Sequence, residues 1–206
     1  MPAPTQVDPR KFPRLASYLS QLPAGLDSYP DCIAKASLYR RLIEEHDFSQ
    51  VVDQLPDQLH PLISHPEPLN TWIPAVQNNA FLLAMTDHFY AQDLRAAVSW
   101  YRDVRKRMFK SPLYRMMMAV ISPRYILRGA SKRWETFHRG TGFECEYGDN
   151  YGNVVLTFPE GLQTRLIVRM LTGGILAALE AAGAREIKWG ITSVTPTQAF
   201  MSASWK

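Results

Sequence analysis

The chain has 206 residues, of which 46% are hydrophobic and 20% charged, with a formal charge of +4, so it holds enough apolar material for an ordinary buried core. No apolar run approaches the roughly 20 residues of a membrane-spanning helix, and Met1–Phe12, with three prolines and no apolar stretch, reads as neither a signal nor a transit peptide; the expectation is a soluble cytoplasmic protein. The two cysteines, Cys32 and Cys145, fit no metal-ligand spacing and are expected to be buried free thiols.

The charge is unevenly placed. Between Tyr101 and Arg139 stand eleven Lys/Arg against two acids, a net of +9, and the rest of the chain carries −5. Such a block suits nucleic acid, an acidic partner or an anionic surface; it equally suits a solvated face.

Residues 1–14 are expected to form a loose N-terminal arm, with one α+β domain from 15 to 206. Leu15 to Leu22 predicts a short helix stopped by Pro23. Ser28-Tyr29-Pro30 reads as a helix start, carrying a helix to about Glu45. Pro56, Pro61, Pro66 and Pro68 restrict the next stretch to one or two short turns. A helix is then expected from Thr71 or Trp72 through Phe89, apolar on most sides and therefore central. Another follows from Asp93 to about Phe109. Two Ser-Pro pairs, at Ser111 and Ser122, predict helices over 112–120 and 123–138, and Gly140 and Gly142 end the helical part.

From Phe143 onward the pattern changes. Phe143, Cys145 and Tyr147 alternate with glutamates, and Val154, Leu156 and Phe158 alternate after a Gly/Asn/Asp turn. A helix is expected over 162–182, ended by Gly183, and two further alternating runs lie at 187–191 and 199–205. The predicted fold is therefore α+β: a helical N-terminal two-thirds (15–140), then a β-β-α-β-β antiparallel sheet (141–206) with one long helix packed on it. That helix is apolar on more sides than one sheet face covers, and Leu176 falls in its polar stripe, which suggests a second subunit or the N-terminal helices as cover. Its Gly173-Gly174 pair suggests close approach of another backbone, or space for a ligand.

Candidate chemistry is sparse. His88, ending the central helix, is the best-placed haem ligand, but a histidine there serves equally as a partner for the helix dipole, so haem is set aside and no cofactor or metal is expected. No nucleophile elbow, phosphate loop or dinucleotide fingerprint is present, which leans away from an enzyme. The densest cluster, Trp134 to Arg139, arrives where the two halves must meet.

The runs Ser28-Tyr29-Pro30, Ser111-Pro112-Leu113-Tyr114-Arg115, Ser122-Pro123, Arg133–Gly140 and Phe200–Trp205 resemble a paralogous family of myxobacterial proteins with no assigned activity. The layout is similar to that of the vinyl-reductase-like and haem–nitric-oxide-binding sensor domains, and more distantly to vesicle-tethering subunits. The resemblance implies helices before a small antiparallel sheet, with a small apolar ligand held between them or two copies paired as a dimer. The cysteine-and-histidine metal pattern common among vinyl-reductase-like domains is absent.

The expected function is a non-catalytic small-ligand-sensing or protein-interaction module of bacterial signalling, working as a homodimer. Its ligand-binding candidates are Trp72, His88, Trp134, His138, Arg139, Gly173 and Gly174. The alternative is an adaptor for nucleic acid or an acidic partner, using a basic surface of Arg105, Lys106, Arg115, Arg128 and Lys132. A closed cavity lined by Trp72, Met85, Trp134 and Met170 would favour the first, and a continuous positive surface the second. Converging buried polar groups would favour an enzyme.

Overall fold

The computed structural model describes residues 7–110 and 122–206. The first helix, α1 (Pro13–Gln21), begins on a proline and has no side-chain cap of its own. The carboxylate of Asp87 takes that role from a distant helix, accepting from the backbone N–H groups of Arg14 and Leu15. The stretch expected to be a loose arm is packed from Val7 onward, with Val7 and Phe12 buried.

Two short strands then replace predicted helix. β1 (Ile33–Lys35) pairs antiparallel with β2 (Trp72–Pro74), setting Lys35 opposite Trp72. Tyr29-Pro30 forms a turn instead of a helix start, with Tyr29 at φ 56° and Cys32 N–H donating to the Tyr29 carbonyl. The helix begins only at Ser37, as α2 (Ser37–Glu45). Pro74 lies on an outer strand, where a missing N–H costs no ladder bond. The proline-rich connector holds three 3-10 turns and a five-residue helix, α3 (His60–Ser64).

α4 (Ala75–His88) is central, as its apolar sequence predicts: nearly every residue from Ala75 to Asp87 is buried. Its polar residues are satisfied inside. Asn79 donates to the Leu162 carbonyl at 2.8 Å and lies 3.3 Å from the Tyr18 hydroxyl, which itself donates to Leu162 at 3.0 Å. Asp93 caps α5 (Leu94–Lys110) by accepting from the N–H groups of Arg95 and Ala96. The helix expected over 112–120 lies outside the described residues. The one expected over 123–138 is two: Gly129 separates α6 (Pro123–Arg128) from α7 (Ala130–Phe137), and His138–Arg139 leaves the helix as β3. β3 pairs with β1, completing a three-stranded sheet in the order β2-β1-β3.

The larger sheet holds β4 (Gly142–Tyr147), β5 (Tyr151–Thr157), β6 (Lys188–Val194) and β7 (Gln198–Ser204), all antiparallel, in the order β4-β5-β7-β6. Phe143, Val154, Leu156, Ala199 and Met201 form its buried face, while Glu144, Asn153 and Ser202 are exposed. α8 (Arg165–Ala181) covers the buried face, with Thr164 accepting from Ile167 N–H at its start and Gly183 at φ +97° after its end. Its other side packs on α5, so the chain supplies the cover that the helix needs. Leu176, only 2% exposed, is buried within the chain and gives no sign of a second subunit. Among the described residues no helix is long and apolar enough to cross a membrane.

Candidate functional site

The two halves meet where α7 runs into β3. The Trp134 ring packs at 5.2 Å from that of Phe143, and its Nε1 donates to Thr141 Oγ1 at 3.0 Å. The His138 imidazole lies flat on the Trp134 ring, with centroids 3.9 Å apart and planes 17° apart. Its pKa is pushed down to about 3, first by burial and second by the positive charge of Arg105, so the ring is neutral at physiological pH. Arg139 sits opposite Ile33 in the small sheet and places its guanidinium 4.3 Å from the centre of the Trp72 ring. Lys35, directly opposite Trp72, holds its ammonium 4.0 Å from the same ring. Gly140 makes this geometry achievable. Its φ is +73°, and a Cβ there would come within 2.5 Å of the Asp31 carbonyl oxygen. The Cys32 thiol donates to the Gly140 carbonyl at 3.2 Å, and both cysteines are free.

The second wall is the α5–α8 pair. A Cβ on Gly173 would lie 3.6 Å from the Arg102 Cβ, and one on Gly174 would lie 3.8 Å from the Arg105 Cγ. These are ordinary contacts, so the glycine pair marks close helix packing that still leaves room for a methyl group. The basic residues of α5 are largely committed. Arg102 and Lys106 both pair with Glu180 on α8, and Arg107 pairs with Glu45. Burial raises the Glu180 pKa, but the bonds from Lys106 and Arg102 outweigh it and hold the group below the usual carboxylate range.

The candidates therefore form two groups on opposite faces of the small sheet: Trp134 and His138 stack on the side of Ala34 and Ile73, while Arg139 and Lys35 meet the Trp72 ring on the other side. Gly173 and Gly174 face α5. His88 does not join them: it is exposed at the end of α4, stacked on Phe12 and edge-on to Phe89. Of the basic-surface candidates, Arg128 and Lys132 are exposed, Lys106 is paired, and Arg115 lies outside the described residues. Arg105 is not on the surface; it is 8% exposed, so the continuous positive face expected of these residues is interrupted. The sequence reading missed Lys35 and Tyr101. The only signal for Lys35 was its place in a three-residue strand, too short to show alternation.

The space between α8 and the sheet is a cavity of about 20 Å³ lined by Leu127, Val154, Thr172, Leu176, Leu179 and Met201. A larger open groove of about 380 Å³ runs across the other sheet face, along Asn153, Val155, Thr192, Ser193, Phe200 and Ser202. Met85 and Met170, expected to line a ligand cavity, are fully buried in the packed core.

No protein-family model matches the sequence, and no curated protein sequence matches it, so the likeness to the myxobacterial family finds no support. Solved structures do match. One, from work on heme distortion in the H-NOX family, shares 9% identity at a TM-score of 0.53, over 83% of this chain and 92% of that one. The fold is that of the H-NOX domains. An Fe(II) unliganded H-NOX protein mutant from K. algicida aligns at 11% identity and a TM-score of 0.50, over 84% and 96% of the two chains. A T. tengcongensis H-NOX mutant aligns at 10% and 0.50, over 84% and 97%.

These neighbours correct the expectation of no cofactor, because the fold is one in which heme and iron are described. The residues of this chain meet that group halfway. His138 offers a neutral imidazole, as a metal ligand must, and Trp134 is a flat wall beside it. The space does not fit. His138 has one face closed by Trp134, and the cavity between α8 and the sheet is far below the roughly 300 Å³ at which small-molecule sites begin. The described residues, packed as they are, do not fit a macrocycle.

Proposed function

We propose that the chain is a small-ligand-sensing signalling domain whose ligand is read at the seam between the helical part and the sheet, by Trp134 and His138. The observation that carries this reading is the stack of the neutral His138 ring on Trp134, at the junction of helices and sheet in an H-NOX fold that spans 83–84% of the chain. A flat aromatic wall and a neutral imidazole supply apolar surface with a polar handle, the usual make-up of a small-molecule site. A ligand that slides between Trp134 and His138 would separate β3, hydrogen-bonded to β1 in the helical part, from the Trp134 ring, which packs on Phe143 of the larger sheet. Occupancy would thereby reach both halves of the molecule.

The packed seam favours a ligand smaller than a macrocycle, and hemin enters the test because the fold neighbours are described with it. Native mass spectrometry of the purified protein, followed by hemin titration read by absorbance, tests the reading. Support is a retained or titrated molecule whose affinity falls at least tenfold in Trp134→Ala and His138→Ala. A protein that binds nothing by either route, or binds equally well in both variants, overturns it.

A further inference from the structure

The cations of α5 present an inversion. Arg102, Lys106 and Arg107, all partly exposed, each have a carboxylate partner. Arg105 lies on the same helix and is 8% exposed, the most deeply buried of the four, yet no carboxylate lies within ion-pair distance of it among the described residues. The remaining stretches, residues 1–6 and 108–121, contain no Asp or Glu that could serve. Buried charges are ordinarily paired, because removing an ion from water is costly. A guanidinium has five N–H donors in a planar fork suited to oxyanions. Here one contact is a neutral phenol: Nη2 donates to the Tyr101 hydroxyl at 2.8 Å, with the guanidinium carbon 4.8 Å from that ring's centre. Gly174 on α8 leaves the flank of the arginine free of a side chain. The charge is also felt at the seam, where it helps keep His138 neutral.

We infer that Arg105 is the anchor for an oxyanion, a carboxylate or phosphate group carried by the ligand of this seam; this deepens the sensing reading and rests on it. The ligand is then a small molecule with an apolar body against Trp134 and an anionic end at Arg105.

The test uses the full chain and inorganic phosphate or acetate as separate probes, with sodium chloride at matched ionic strength as the control. Thermal melting of the native protein should rise saturably with one of the two oxyanions beyond the chloride response, as for any ligand that binds only the folded state. Which one responds names the anion class. Arg105→Met should melt at or above the native temperature without added oxyanion, because replacing an unpaired buried charge by an apolar side chain of similar shape is neutral or stabilising. It should also lose the oxyanion response, while Arg105→Lys keeps a weakened one. The inference is overturned if the native protein responds no more than to chloride, if Arg105→Met responds as the native protein does, or if Arg105→Met melts far below it. In that last case the guanidinium is compensated within the chain. A retained ligand or hemin signal that depends on Trp134 and His138 but ignores Arg105 also overturns it, and leaves the seam reading standing.

Discussion

Asp87 is the most consequential single side chain for the helical part, and its removal can be costed from its contacts. The carboxylate is fully buried and accepts three bonds: Arg14 N–H at 2.8 Å, Leu15 N–H at 3.1 Å and Arg14 Nη1 at 2.8 Å. In Asp87→Ala two backbone N–H groups lose their acceptor, each worth about 1–3 kcal/mol when left unsatisfied. The guanidinium adds less, about 1 kcal/mol at most, because the Arg14 side chain is 28% exposed and keeps its bond to the Gln92 carbonyl. The expected loss is about 3–4 kcal/mol, within the range for breaking a buried pair by removing one partner. Asp87→Asn keeps one acceptor and should lose about 2 kcal/mol, and Arg14→Met, which leaves both backbone bonds in place, about 1 kcal/mol. Urea unfolding with an unchanged m-value is the assay. A loss below about 1 kcal/mol for Asp87→Ala, or an Arg14→Met loss equal to it, would refute the assignment of Asp87 as the cap of α1.

Gly140→Ala should cost at least about 2 kcal/mol, since it combines a left-handed backbone with a Cβ driven into the Asp31 carbonyl; an unchanged urea midpoint would show that the turn can re-form otherwise. His138 titrates near 6.5 when unfolded and near 3 when folded, so between those values the unfolded chain binds the extra proton. Its contribution is complete above pH 6.5 and is lost, by up to about 1.4 kcal/mol per pH unit, as pH falls toward 3. The urea midpoint of His138→Gln should fall less steeply with acid than that of the native protein, and parallel slopes would contradict this; His46, whose pKa burial also lowers, contributes equally to both. Trp205→Ala should lose about 3 kcal/mol by denaturant titration, because Trp205 is 7% exposed against Leu127, Leu179 and Ala184, and a loss under about 1 kcal/mol would make it peripheral.

Legibility in the sequence followed element length. β4, β5 and β7 have six or seven residues, long enough for alternation to show, and α8 announces itself by its apolar run and by Gly183 at its end. β1 and β2 have three residues each, fewer than a period can reveal, and both sit beside prolines that also suit a helix start. Their strand character comes from pairing with each other and with β3, a tertiary fact. The same holds for the polar residues. Trp134 and His138 could be singled out by their density before the sheet, but the burial of Asp87 and Arg105 depends on which helices pack over them. Trp189 occupies the apolar phase of its strand, opposite Ala203, yet is 37% exposed because β6 is an outer strand. The neighbours share the fold at 9–11% identity, too little for the likeness to be legible from residue patterns.

The pairing of β3 with β1 also decides where the polypeptide can be divided. By sequence, His138 and Arg139 are the last residues of a helical half; by hydrogen bonding they close its three-stranded sheet. A fragment ending at Phe137 would leave β1 with an open ladder edge beside β2, an invitation to strand exchange or aggregation. One carried through Gly140 would keep that edge closed, yet it would still leave α5 without α8. Neither cut yields two self-sufficient pieces, so a chimera that borrows the seam must transplant both sides of it together.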